Sequence, residues 1–175
     1  MAVVNTKSTA ITNRDATPPV INDGRIERGV MKSGLGSVAV GAADSATSFY
    51  PLVSVPSSAM IRAVRATNPA GMTTLAGNVG VFKNTKNSGG STTGVAANTG
   101  SDTIFASAAS FASAQNHAPV DALFTSDKRE QPLWQAIGLT ADPMTTFDIG
   151  IVVTTANTGA AGRACLEVQY VDNGS

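Results

Sequence analysis

The chain has 175 residues, 42% of them apolar and 14% charged, and a formal net charge of zero, which suits one domain with one sizeable core and lasting contacts with other subunits. No basic run is longer than Lys128-Arg129 and no apolar run is long enough to cross a bilayer, so neither nucleic acid nor a membrane is an expected partner. Cys165 is the only cysteine, which excludes an internal disulfide.

Residues 1–24 are predicted to form an extended N-terminal arm. The apolar residues follow no period there, and Pro18-Pro19 opposes a helix. Two interpretations remain: an arm that docks on a neighbouring subunit, or a disordered terminus. If the arm docks, the candidate partner-binding residues are Val3, Val4, Ile11, Pro18, Pro19, Val20 and Ile21. The start of the chain lacks the basic and apolar stretches of a secretory leader, so we expect synthesis in a cytoplasm.

Residues 25–175 are predicted to form a single all-β domain. Short apolar stretches alternate with turn residues such as Ser33-Gly34 and Pro56-Ser57-Ser58. The strands predicted in this part are 26–32, 37–40, 49–55, 60–67 and 78–83. Their spacing is typical of an antiparallel β-sandwich or jelly roll, or of a barrel.

The middle of the chain is the least regular part. Residues 84–101 have few apolar side chains and are predicted to form a mobile surface loop. Residues 102–115 are rich in Ala and Ser, and they fit either a helix capped by Asp102 or an irregular edge. A further strand is predicted at 120–124.

One short helix is predicted near residues 132–137. Pro132 suits the first helical position, and Gly138 suits the position after the helix, where the backbone is often left-handed. Asp127 and Glu130 also resemble a capping box, but that assignment would place Pro132 inside the helix. Leu133, Trp134 and Ile137 share one face and are expected to close one end of the β-core, with an interface role for Trp134 as the alternative.

Two strands with strict alternation end the domain. Phe147, Ile149, Ile151 and Val153 have one parity, and Ala164, Leu166, Val168 and Tyr170 repeat the pattern. Cys165 lies on the opposite parity, beside Glu167 and Gln169. We interpret it as a small residue on a half-covered face, because no cationic neighbour is evident to activate its thiol.

The sequence contains no recognisable catalytic or ligand-binding motif. His117 is the only histidine, and Ser113 and Asp121 flank it at four residues on each side. No nucleophile-elbow sequence surrounds the serine, so a catalytic triad is not indicated. Zinc ligand sets, calcium loops and phosphate-binding loops are all missing. We therefore predict no catalytic residue, no metal, no cofactor and no enzymatic activity.

The last third of the chain contains an order of motifs that is similar to that of a known group of proteins. Its order of motifs is Asp127-Lys128-Arg129-Glu130, then Pro132-Leu133-Trp134-Gln135-Ala136-Ile137-Gly138-Leu139, then Asp142-Pro143 and Thr146-Phe147-Asp148-Ile149, and finally Leu166-Glu167-Val168-Gln169-Tyr170-Val171-Asp172. Together with residues 50–83, where Val55-Pro56-Ser57-Ser58 precedes a strand, it resembles the auxiliary head proteins of tailed bacteriophages, which decorate or cement a capsid. The resemblance covers about two thirds of the chain and rests on structural motifs.

Two hypotheses for function follow. The resemblance implies a decoration protein on the exterior of the virion, bound to the major capsid protein as a homo-oligomer. Low charge content also predicts self-association, with a trimer slightly favoured over a dimer. The alternative is a carbohydrate- or receptor-binding β-module on the virion surface, although sugar sites usually need exposed aromatic rings. A hydrolase is a more distant possibility.

Overall fold

The computed structural model describes residues 6–27, 29–84, 98 and 100–172. Its strands in this part of the chain are β1 (Met31–Val40), β2 (Phe49–Pro56), β3 (Met60–Asn68), β4 (Ala76–Lys83), β5 (Ala106–Ser110), β6 (Gln115–Pro119), β7 (Thr146–Thr155) and β8 (Gly162–Val171). Its helices are α1 (Thr9–Arg14), α2 (Gly24–Glu27), α3 (Ser126–Arg129) and α4 (Leu133–Ala136), with a 3₁₀ turn at Ser101–Thr103.

The strands form two four-stranded antiparallel sheets. The first sheet has the order β1-β8-β3-β6, and the second sheet has the order β2-β7-β4-β5. Strands β1 and β8, β2 and β7, β3 and β6, and β4 and β5 are each antiparallel neighbours. A long antiparallel ribbon of four strand pairs has therefore wrapped into a sandwich, which is the arrangement of an eight-stranded jelly roll. The predicted all-β antiparallel sandwich is confirmed.

The core lies between the two sheets and follows the predicted parity. Phe147, Ile149, Ile151 and Val153 of β7 are buried, as are Ala164, Leu166 and Val168 of β8, whereas Tyr170 is half-buried. Cys165 is half-buried on the opposite face, as predicted. In β8 the alternation separates buried from half-buried residues, whereas in β7 Asp148 and Gly150 on the opposite parity are buried as well.

Strand β1 corrects the prediction for residues 24–40. Gly24–Glu27 is helical, and a single strand runs from Met31 to Val40 where two strands were expected. The sequence pattern marked Ser33-Gly34 as a turn, but Gly34 and Gly36 lie inside the strand and face the second sheet. A Cβ at Gly36 would collide with the carbonyl oxygen of Leu52. Glycine is needed there because β2 approaches the backbone closely, and not because the chain turns.

Residues 102–124 also differ from expectation. The ambiguous stretch 102–115 contains the end of the 3₁₀ turn and strand β5, whereas the strand predicted at 120–124 is a turn. Val120 and Phe124 are buried from that turn, so their apolar character indicates burial without a strand. Of the predicted mobile loop 84–101, residues 85–97 and 99 lie outside the described residues. Ser101, at its end, is buried and donates a hydrogen bond to the Val81 carbonyl.

The predicted helix is confirmed as α4, with its start moved by one residue. Pro132 is the N-cap and not the first helical residue. At the other end, Gly138 has a φ of 83°, and the amides of Gly138 and Leu139 donate to the carbonyls of Gln135 and Trp134, which is a Schellman motif. The same sequence region also contains α3, whose N-cap is Thr125 and whose C-cap is Glu130, so Asp127 and Glu130 do not form the capping box that was the alternative assignment.

Candidate interaction surface

Exposed apolar side chains are concentrated near the start of the chain. In the described residues the large ones are Val20, Ile21, Ile26, Val30, Met31, Leu35, Leu123 and Met144. Six of these eight lie between residues 20 and 35. We call the first five, Val20, Ile21, Ile26, Val30 and Met31, the N-terminal apolar surface. Ile21 and Ile26 line the same surface cavity. Exposed apolar side chains concentrated in one segment mark a candidate contact site for another macromolecule.

The segment that carries this surface folds partly on itself. Ser8 caps α1 by accepting a hydrogen bond from the Ile11 amide at 3.4 Å. After the two prolines the chain returns to the helix, where the Val20 amide donates to the Asn13 carbonyl at 3.0 Å. Asn13 also donates from Nδ2 to Oδ1 of Asn22 at 2.7 Å. This part of the predicted extended arm is therefore a compact helical turn, because side-chain hydrogen bonds stabilise a helix too short to show an apolar period.

Arg25 joins this segment to the sandwich. Its guanidinium forms an ion pair with Asp23 at 2.7 Å, and its Nη1 donates to the Ser58 carbonyl at 3.1 Å. Hydrogen bonds from Arg25 hold the pKa of Asp23 below its usual value. Arg62 on β3 then donates from Nη2 to the Arg25 carbonyl at 2.6 Å. The root of the segment is thereby bonded to the first sheet and to the β2–β3 turn.

The same network continues into the turn before α3. Arg62 donates from Nη1 to the Arg129 carbonyl at 3.1 Å. Arg129 in turn forms an ion pair with the buried Asp121 at 3.0 Å and lies over the Phe124 ring, 5.5 Å from its centroid. Asp121 also accepts a hydrogen bond from the Val64 amide at 3.2 Å. These arginines therefore have structural roles in fixing the base of the N-terminal segment.

The predicted partner-binding residues fall into three groups. Pro18, Pro19, Val20 and Ile21 are exposed, and Ile21 is 96% accessible. Ile11 is half-buried on α1. Val3 and Val4 lie outside the described residues.

Sequence reasoning missed Ile26, Val30, Met31 and Leu35 as surface residues. The first three lie in the strand predicted at 26–32, for which no burial was assigned, and the structure gives them exposures of 42%, 69% and 60%. Leu35 is 73% exposed. Its place on the parity of Ser33 and Ser37, opposite the inward Gly34 and Gly36, is the signal that could have identified it.

A polar cluster occupies the outer face of the first sheet. Glu167 on β8 accepts hydrogen bonds from Ser33 at 2.9 Å and from Gln169 at 3.1 Å. His117 approaches the same carboxylate with Nδ1 3.1 Å from Oε2. Hydrogen bonds from Gln169 and Ser33 lower the pKa of Glu167, while burial and the charge of Glu167 raise the pKa of the Cys165 thiol. Because this pKa is raised, a smaller fraction of Cys165 is present as the reactive thiolate at neutral pH.

The structure separates the residues that flank His117 in sequence. His117 contacts Glu167, whereas the carboxylate of Asp121 is held by Arg129 and the Val64 amide. The His117 imidazole and the Asp121 carboxylate are therefore engaged by different partners. Across the described ranges, no group of three or more His, Cys, Asp or Glu side chains is placed to hold a metal ion. In the same part of the chain, no helix is long and apolar enough to span a membrane.

Aromatic side chains do not form a surface platform. The one Trp, two Tyr and six Phe of the sequence all lie within the described ranges. Each of them is buried or half-buried. Stacking on a sugar ring requires an exposed aromatic face, which this surface does not offer.

Comparison with solved structures finds chains of similar fold in two phage capsids. No protein-family model matches the chain, and no curated protein matches it. A chain in the capsid asymmetric unit of cyanophage Pam1 matches with a TM-score of 0.52 and 19% identity, over 98% of this chain and 99% of that chain. A chain in the capsid of Ralstonia phage GP4 matches with a TM-score of 0.59 and 17% identity, over 84% of this chain and 87% of that chain. At these identities the likeness establishes a shared fold.

Proposed function

We propose that this chain is a decoration or cement protein of a tailed bacteriophage, which binds the outer surface of the major capsid shell as a homo-oligomer and stabilises the shell. The observation that carries the proposal is the fold shared with chains from two phage capsids, one of them matched over nearly its whole length. The motif order of the last third of the chain supports it independently. The chain would be made in the host cytoplasm and reside on the capsid exterior.

The distribution of apolar side chains supports a binding role. The N-terminal apolar surface lies on a segment that hydrogen-bonds to itself and joins the sandwich through Arg25. Such a segment adds contact area outside the domain core, which suits attachment to a large partner. In this proposal the protein is not an enzyme, and it binds neither nucleic acid nor membrane. The lack of an exposed aromatic platform disfavours the carbohydrate-binding alternative.

The experiment uses heads of the phage that encodes this chain, assembled without this protein. We expect the purified chain to cosediment with these heads and to raise the temperature at which they release DNA. Deletion of residues 1–22 removes α1, Val20 and Ile21 but keeps the Asp23–Arg25 pair. The shortened chain should keep the circular dichroism of the sandwich and bind heads at least about tenfold more weakly.

A pair of point variants separates contact from folding. The double change Val20→Asp with Ile21→Asp places charges on the N-terminal apolar surface, and Leu123→Asp places one on an exposed apolar residue elsewhere, 49% accessible. Only the first should weaken head binding. If the full-length chain does not bind the heads at all, the proposed function is wrong.

A further inference from the structure

Three of the four sheet edges carry features that prevent further strand pairing. Strand β2 contains Pro51 and Pro56 and has a register shift after Pro51. Strands β5 and β6 are only five residues long, and each pairing with its neighbour has a register shift. In β6, His117 also has a φ of 56°. Short strands, prolines and bulges are the usual protection of an edge against another chain.

The remaining edge, β1, has none of these features. It is ten residues long, contains no proline, and pairs with β8 without a register shift from Met31 to Val40. Its only charged residue is Lys32, near one end. In the described part of the chain, the backbone of β1 has no hydrogen-bonded strand on its other side. Alternate amides and carbonyls along this edge are therefore available to another strand.

The side chains of β1 favour pairing with an identical strand. The outward row is Met31, Ser33, Leu35, Ser37 and Ala39. A twofold axis at Leu35 would place the two leucines opposite each other, each Ser33 opposite a Ser37, and each Met31 opposite an Ala39. Each Lys32 would lie opposite a Val38, whereas parallel in-register pairing would bring the two lysines together. The antiparallel arrangement thus covers the exposed leucine without opposing like charges.

We propose that β1 pairs with β1 of a second copy of this chain, antiparallel and centred on Leu35. The two first sheets would then join into one continuous eight-stranded sheet across a twofold axis. This specifies the homo-oligomer of the proposed function as a dimer. It rests on the proposed function only for the location of the dimer on a capsid.

Cysteine crosslinking tests the register. In a Cys165→Ser background, Leu35→Cys would place two thiols opposite each other at Cα distances of roughly 4.5 to 5.5 Å, within reach of a disulfide. The control, Ser37→Cys in the same background, would place the two thiols about four residues apart along the strands, roughly 13 Å. Under mild oxidation we expect a disulfide-linked dimer only for the first variant. If Leu35→Cys does not crosslink, or if both variants crosslink equally, the proposal is wrong.

Sedimentation of the full chain in the absence of heads tests the interface itself. Leu35→Lys would oppose two ammonium groups and should weaken dimerisation about tenfold or more, whereas Leu123→Lys should leave it unchanged. A parent chain that stays monomeric at high concentration would overturn self-pairing, while its head binding would still test the proposed function separately. If Leu35→Lys loses head binding while the parent is a monomer, β1 pairs with a capsid strand and not with its own copy.

Discussion

Asp44 and Tyr50 form a hydrogen-bonded pair at one end of the sandwich. The Tyr50 hydroxyl donates to Oδ2 of Asp44 at 2.5 Å, and the Gly41 amide donates to the same oxygen at 2.7 Å. These bonds hold the pKa of Asp44 below its usual 3.8. Burial, followed by the bond to Asp44, raises the pKa of Tyr50 well above its usual 10.0. The folded state therefore favours an ionised Asp44 and a neutral Tyr50.

This pair predicts a loss of stability at both extremes of pH. The Asp44 contribution is complete above pH 3.8 and is lost as the pH falls from there through the folded pKa. The Tyr50 contribution is complete below pH 10.0 and is lost as the pH rises towards the folded pKa. Tyr50→Phe should weaken the acid dependence and remove this alkaline contribution. Urea unfolding of parent and variant across the two ranges measures the difference.

Tyr170→Phe is the matched control for this prediction. Tyr170 is also half-buried, and its hydroxyl has no hydrogen bond among the described residues. The difference in the free energy of unfolding between the parent and Tyr170→Phe should stay constant across the acid range, whereas the difference for Tyr50→Phe should change with pH. Equal acid dependence of the two variants would contradict a specific Asp44–Tyr50 contribution.

At the scale of elements, α4 acts as a plug for one end of the core. Leu133 is fully buried, and its amide donates to the Ala59 carbonyl at 2.8 Å, whereas Trp134 is half-buried against the same cluster. The sequence predicted that Leu133, Trp134 and Ile137 together close one end of the core. The structure assigns the deeper position to Leu133.

Substitution of the two residues should separate their roles. Leu133→Ala should lower the free energy of unfolding by about 2 to 5 kcal/mol, because it leaves a cavity in a closed part of the core. Trp134→Ala should have a smaller effect, because part of the ring already contacts water. Chemical denaturation of both variants measures the order. A larger loss for Trp134→Ala would show that the indole, and not Leu133, closes the core.

Across the whole molecule charge is balanced, and five charged side chains of the described N-terminal segment form ion pairs with each other. Asp15 is within 2.8 Å of both Lys7 and Arg14, and Asp23 pairs with Arg25. With a net charge of zero, the chain has no excess charge of one sign to attract an oppositely charged capsid surface. Its attachment should therefore depend mainly on apolar contacts.

This predicts that salt has little effect on head binding. A tenfold rise in salt concentration should change the affinity of the chain for undecorated heads by less than about threefold, since few counterions are released or exchanged. Cosedimentation of heads and chain over a salt series measures the slope. A steep loss of binding with salt would show that ion pairs with the shell dominate attachment.

Local sequence signals predicted which segments alternate and where the short helix lies. The parity of β7 and β8 and the pair Pro132 and Gly138 are local signals, since a period of two or a left-handed position is set by adjacent residues. Those signals were sufficient for an all-β antiparallel sandwich. They were also sufficient to place Cys165 on the outer face.

The order of the strands and the exposure of most apolar residues depend on contacts between segments that are distant in sequence. Strand β1 pairs with β8, from the opposite end of the chain, so no local pattern could predict their register. Ser33-Gly34 resembled a turn, whereas the requirement for glycine at Gly34 and Gly36 comes from β2, which packs against them from the other sheet. Leu35 has the opposite parity to these glycines, so its side chain faces away from β2. A side chain is buried or exposed according to what packs across from it, and in a jelly roll those neighbours are distant in sequence.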